Sequence, residues 1–222
     1  MRPARDGASK GAPSDSTRKG RVGTGSVPSS HQVGKGGRSV SVATASDVQR
    51  ALVRIGHEVL ERNKGVEDLV VVGLQRGGVP FAERLSSVLG EVSGQSIPVG
   101  VLGITMHRDD LSLRPVVPED VTHLPVDIDS KVVLLVDDVI YTGRTVRAAL
   151  EALLSWGRPA AVQLAVMVDR GHRELPIRPD YVGRNLPTSR EETVEATLEG
   201  IWIKQSSQPR FPSQRPGEGE LA

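Results

Sequence analysis

The stretch VVLLVDDVIYTGRTVRAAL, residues 132–150, decides the fold. Five apolar residues, Val132 to Val136, run without alternation, the pattern of a strand buried on both faces of a parallel sheet. After Thr145 the period changes. Val146, Ala149, Leu150 and Leu153 recur at helical spacing, which predicts a helix beginning near Gly143. Asp137 and Asp138 then sit at the carboxyl end of a central strand, the edge where open α/β sheets bind ligands. The turn Tyr141-Thr142-Gly143-Arg144-Thr145 opens the helix, and a helix N-terminus suits a phosphate. The two carboxylates suit hydroxyls of a sugar. A plain crossover would leave such acids solvated, but it does not explain two acids coinciding with a Thr-Gly-x-Thr turn.

Working outward, Thr44 and Asp47 form a helix start close to a capping box, followed by Val48, Leu52, Ile55 and Val59 at helical spacing up to Gly65. Arg50, Arg54 and His57 fall on the opposite face of that helix. A short strand is predicted at Leu69 to Val72, a turn at Gly73 to Gly78 and a helix at Phe81 to Leu89. Further strands are predicted at Val99 to Ile104, Lys131 to Val136 and Ala161 to Val168, with edge strands at Tyr181-Val182 and Val194 to Leu198. The alternation argues a doubly wound, mainly parallel α/β sheet. The connection from Thr105 to Pro125 is long and polar, as in a lid or a binding element.

The chain of 222 residues holds one α/β domain, residues 39–204, between two tails. Residues 1–38 are rich in Gly, Ser, Pro, Lys and Arg, and read as a disordered basic arm. Residues 205–222 read as a flexible tail. The arm holds eight Lys/Arg and two Asp/Glu, a net +6. The whole chain is +1, so residues 39–222 carry −5. RNA binding therefore cannot rest on the charge of the body as a whole. With no cysteine there is no disulfide or thiolate metal site. No apolar run approaches the ~20 residues of a membrane span and no signal-peptide core is present, so the cytoplasm is the expected location.

Residues 133–145, VLLVDDVIYTGRT, resemble the phosphoribosyl-pyrophosphate (PRPP) signature of type I phosphoribosyltransferases. RIGHEVLERNKG (54–65), HRDDL (107–111), VDRGHRELPIRPDYVGRNLPTS (168–189) and Val99-Gly100 narrow the match. Together they resemble the PyrR family, regulators of pyrimidine operons that are also uracil phosphoribosyltransferases. The resemblance covers about residues 40–200. The first motif specifies only the superfamily, and the DRGHRELPIR block is specific to PyrR.

The resemblance implies a type I phosphoribosyltransferase fold with a flexible hood loop, and the reaction of uracil with PRPP to give UMP and pyrophosphate. Asp137 and Asp138 would serve the ribose, Tyr141, Thr142, Gly143, Arg144 and Thr145 the 5′-phosphate, and Val139 and Ile140 belong to the same substrate-binding stretch. Arg76 and Gly77 would serve pyrophosphate, and Arg108 would act from the hood. Arg170 would lie at the nucleotide and Val194 near the base. Mg²⁺ would arrive with PRPP, with no direct protein ligands. Arg54, His57, Arg62, Arg178 and Arg184 match basic positions of a messenger-RNA-binding surface that responds to UMP or UTP, and Arg50 and Arg173 belong to the same basic set. A homo-oligomer, dimer or higher, is implied. The sequence departs from the family pattern at Arg76-Gly77-Gly78, where Thr-Arg-Gly is usual, at Gly103 for Asp, at His107 for Tyr, and at Val53 for Thr. Two other readings stay open. One is a regulator that senses nucleotides without turnover. The other is transfer to a different nucleobase.

Overall fold

The computed structural model describes residues 39–104 and 121–205. The basic arm, the tail beyond Gln205, and the hood residues His107, Arg108, Asp109 and Asp110 lie outside the described residues.

The core is a five-stranded parallel sheet in the order β3-β2-β4-β5-β6. Its strands are β2 (Leu69–Leu74), β3 (Val99–Leu102), β4 (Val132–Ile140), β5 (Ala161–Asp169) and β6 (Tyr181–Asn185). From β2 the chain winds through α2 (Gly78–Ser93) to β3 on one side. From β4 it winds through α3 (Arg144–Leu154) to β5 on the other. The strand order reverses between β2 and β4, and that switch point opens a crevice at their carboxyl ends.

The apolar runs are buried on both faces because helices cover both. Val71, Leu134 and Val136 point into one cluster with Leu52, Val59, Phe81 and Leu85 of α1 (Ala45–Asn63) and α2. Val70, Val72, Val133 and Leu135 point into the other with Val146, Ala149 and Leu153 of α3. Each fully buried Val or Leu side chain contributes roughly 1.5–3 kcal/mol, so this sheet is a rigid base for the crevice.

Several sequence boundaries need correction. β4 runs four residues past Val136 and includes the acidic pair, since pairing with β5 continues through Asp137↔Val166 and Val139↔Val168 to Ile140↔Asp169. Carboxylates count against a strand in sequence reading, but here the neighbouring strand supplies the ladder. β2 extends to Leu74, and α2 is longer than predicted at both ends. β3 ends two residues short of Ile104, at Leu102. β6 is an edge strand as predicted. β7 (Glu192–Thr197) is not part of the parallel sheet. It joins β8 (Gly200–Gln205) and β1 (Ser39–Thr44) in an antiparallel sheet of order β1-β8-β7, two of whose strands sequence reading missed. Gln205, assigned to the tail, pairs with Glu192.

Candidate active site

Two helices begin at the crevice. At the start of α2 the N-cap is Gly77, and at the start of α3 it is Gly143; neither can offer a side-chain cap. Gly143 takes φ +93°, a left-handed conformation suited to glycine. The Arg144 N–H reaches Thr142 Oγ1 only at 3.4 Å. α1 starts in the opposite way. Thr44 and Asp47 form a full capping box there, with Thr44 N–H donating to Asp47 Oδ2 at 2.9 Å and Asp47 N–H to Thr44 Oγ1 at 3.3 Å. The two starts left without side-chain caps belong to the helices that follow β2 and β4, where anions are favoured by the dipole and the N–H groups.

Glycines bring the start of α2 onto the end of β4, the strand that α3 follows. A Cβ on Gly77 would overlap the Asp138 carboxylate, and one on Gly78 would overlap the Val136 carbonyl oxygen. The first turn of α2 therefore lies directly on the acidic end of β4. Asp138 Oδ1 accepts from the Val139 N–H at 2.8 Å, and Asp137 Oδ1 accepts from the Asp138 N–H at 3.1 Å. Burial pushes the Asp138 carboxyl above its ordinary value, against the lowering effect of the Val139 N–H and of Asp137. Asp137 is 6% exposed. Gln75 and Arg76 are joined by a cis peptide bond, Arg76 is exposed, and Gln75 Oε1 is buried with no hydrogen-bond partner among the described residues.

The block 169–178 is a buttress for the turn 141–145. Arg173 donates to the Tyr141 carbonyl at 2.8 Å and to Asp169 Oδ2 at 2.6 Å. Glu174 and Leu175 N–H groups donate to the Thr142 carbonyl at 3.0 and 3.2 Å, and Arg144 pairs with Glu174 at 3.0 Å. Arg170 is buried, with its guanidinium 4.4 Å from the Tyr141 ring centre. It donates to Thr188 Oγ1 at 3.0 Å and the Ser189 carbonyl at 2.6 Å. His172 meets the same ring edge to face and bonds the Thr188 carbonyl at 2.6 Å. Sequence reading placed Arg173 in the basic set with Arg54 and Arg184. The structure turns it inward, and its place four residues after Asp169, with which it pairs, was the available signal. Val194 is buried in β7, within the cluster of α1 and α2.

The other basic residues are not gathered at the crevice. Arg54 donates to the Val182 and Gly183 carbonyls at 2.9 Å each and pairs with Glu58. It thereby covers the open edge of β6. Arg62 pairs with Asp180 at 2.7 Å and lies over the Tyr181 ring. Arg50 pairs with Asp47, while His57, Arg178 and Arg184 are exposed.

Residues 46–198 match the family model of the phosphoribosyl transferase domain. "Bifunctional protein PyrR" of Deinococcus deserti is 55% identical over 161 residues, 71% of this chain and 87% of that protein. "Bifunctional protein PyrR" of Roseiflexus sp. is 53% identical over 161 residues, 72% of this chain and 88% of that protein. The chain belongs to the PyrR family of phosphoribosyltransferases. Its fold is also that of the hypoxanthine phosphoribosyltransferase of Trypanosoma cruzi, with TM-score 0.58 at 17% identity over 75% of this chain and 96% of that one. A Staphylococcus aureus hypoxanthine phosphoribosyltransferase aligns with TM-score 0.57 at 19% identity over 75% and 92%. Among the described residues, no helix is long and apolar enough to cross a membrane.

Proposed function

We propose that the protein transfers the phosphoribosyl group of PRPP to uracil, giving UMP and pyrophosphate, and that it also binds pyrimidine-operon messenger RNA in response to UMP or UTP. The observation that carries the enzymatic reading is that one glycine-capped helix start, at Gly77, lies against Asp138 while a second, at Gly143, follows directly from the end of the same strand. PRPP carries one phosphate and one pyrophosphate on a single ribose, and two open starts flanking an acidic pair match that arrangement.

In this reading the turn 141–145 holds the 5′-phosphate, and the Gly77-Gly78 start with Arg76 holds pyrophosphate. Asp137 and Asp138 accept from the ribose hydroxyls. As the C1′–O bond breaks, its electron pair leaves with pyrophosphate; N1 of uracil bonds to C1′ and gives up its proton to water or to the departing pyrophosphate. The positive charge that develops on the ribose is stabilised by the buried carboxylates, which need no reorganisation. Arg170 and Val194 line the approach of the base, and Arg108 closes from the hood. Mg²⁺ enters with the substrate as a counterion to pyrophosphate. The Asp137 and Asp138 carboxylates at the crevice are hard oxygen donors of the kind a hydrated Mg²⁺ accompanying PRPP would accept.

The regulatory half uses the face bearing Arg54, His57, Arg62, Arg178 and Arg184. Arg54 and Arg62 already serve the fold there, so His57, Arg178 and Arg184 carry more of the contact with RNA. A steady-state assay with uracil, PRPP and Mg²⁺ tests the enzymatic reading. UMP formation is the expected result. A folded protein that binds UMP but never makes it would leave only the regulator, and turnover with another base alone would reassign the acceptor.

A further inference from the structure

The Gln75 side chain stands at the crevice with no hydrogen-bond partner at either end of its amide among the described residues, and its Oε1 is enclosed. Its place is fixed from both sides. The Gln75 N–H donates to the Leu102 carbonyl at 3.1 Å, the next rung of the β2–β3 ladder after Leu74↔Leu102. That rung sets Gln75 beside Gly103, which carries no side chain. On the other side Gly73 pairs with Val136, so Gln75 comes level with Asp138, two residues further along β4. Side chains two apart along a strand share a face, and neighbouring strands lie about 4.8 Å apart. The Gln75 amide and the Asp138 carboxylate therefore belong to one face of the switch point.

Backbone donors on both sides are already in use. The Gly103 N–H goes to Thr122 Oγ1 at 3.1 Å. The Asp138 and Val139 N–H groups go to the Asp137 and Asp138 carboxylates. An enclosed acceptor left unpaired costs free energy, and such groups are rare enough in folded proteins to need a reason. A position that served only the fold would be better filled by an apolar side chain. The terminal torsion of glutamine is broad, and with no hydrogen bond to break the amide can turn its oxygen into the crevice. That oxygen needs a donor. Ionised phosphates have none to give, whereas a hydrated divalent cation presents water hydrogens to oxygen acceptors. Gln75 adjoins Arg76 and Gly77, the pyrophosphate side of the crevice in the reading above, so the cation that accompanies pyrophosphate is the donor at hand.

We propose that Gln75 is a substrate-contacting residue of the phosphoribosyl transfer, its amide oxygen accepting a hydrogen bond from a water of the hydrated Mg²⁺ that accompanies pyrophosphate. The inference rests on the transferase reading above. Gln75 adds a neutral acceptor beside the charged one on Asp138. A further carboxylate there would repel the leaving group, and an amide does not.

Calorimetry on the full chain with two probes, magnesium pyrophosphate and UMP, tests this. Gln75→Met keeps the length of the side chain and removes the amide. It should weaken binding of magnesium pyrophosphate about fivefold to tenfold, leave UMP binding unchanged, and melt no lower than the parent, because an unpaired acceptor is gone. UMP carries the ribose without pyrophosphate, so it separates the two groups that could donate to the amide. Weaker UMP binding with unchanged magnesium pyrophosphate binding would place the amide on a ribose hydroxyl and overturn the proposal. Equal weakening of both would make Gln75 a residue of the fold, and overturns it too. If both probes bind the variant as they bind the parent, the proposal fails while the transferase reading stands. A parent that binds neither probe brings down that reading and the inference together. Should Gln75→Met fail to fold, Gln75→Ala removes the amide without adding bulk, with the same outcomes read.

Discussion

The first turn of α1 and the first turns of α2 and α3 are built on opposite principles. α1 closes its own N–H groups with the Thr44–Asp47 box. α2 and α3 begin on glycines that supply no side-chain cap, and both starts lie at the end of β4. A helix that only has to be stable caps itself. A helix that has to hold an anion leaves its start to the ligand and takes its support from elsewhere. That support comes from the buried sheet beneath it and, for α3, from the Arg173 and Glu174 contacts to Tyr141 and Thr142.

The comparison breaks first at Asp138. Asp138→Asn should lower kcat/KM by about ten- to a thousandfold, from loss of a charged acceptor to the ribose and some misorientation. The same change should raise stability at neutral pH. Burial raises the folded-state pKa of Asp138, so the folded protein takes up its proton more readily than the unfolded chain. The stability tied to this group is present below the unfolded pKa and lost as pH rises through the folded one. Melting curves should put Asp138→Asn above the parent at pH 8 and level with it near pH 4 (roughly the ordinary aspartate pKa). A variant less stable at pH 8 would show that the carboxylate serves the fold instead.

Gly77→Ala comes next. Its methyl group would displace the Asp138 carboxylate, and kcat/KM for PRPP should fall about tenfold or more through misplacement alone. Because Gly77 has φ −66°, an ordinary helical value, backbone strain is not involved. Unchanged kinetics would mean that the α2 start and the acidic pair act independently. Arg76→Ala should raise KM for PRPP about tenfold and leave that for uracil and the affinity for UMP unchanged, since one charge-assisted contact to the leaving group is lost. Weaker UMP binding would move Arg76 onto the nucleotide. The smallest effect belongs to α1. Thr44→Ala should cost about 1 kcal/mol, or ~2–4 °C in Tm, with kinetics unaltered.

The crevice was legible in the sequence because its parts are contiguous. Strand, acids, glycine turn and helix follow one another from Val132 to Leu154, and their periods change at the right place. The buttress was half legible. The 168–189 block marked the family, but Arg173 and Arg170 read as surface or ligand-facing cations because the carbonyls and hydroxyls they bind lie up to 32 residues away. The small sheet was not legible. β1 and β8 are six-residue strands at either end of the domain, paired antiparallel from Ser39↔Lys204 to Thr44↔Gly200 with a register shift between Ser41 and Ala43. No local period announces a pairing made across 160 residues. The same holds for Arg54, whose helical face suggested solvent while its partners on β6 lie 128 and 129 residues further on.

Amide hydrogen exchange on the full chain, with and without PRPP and Mg²⁺, tests the contrast between the helix starts most directly. PRPP should slow exchange in peptides spanning 77–79 and 143–146, and leave the start of α1, residues 44–48, unchanged. Saturating PRPP that leaves 143–146 unprotected, or that protects 44–48 instead, would contradict the account.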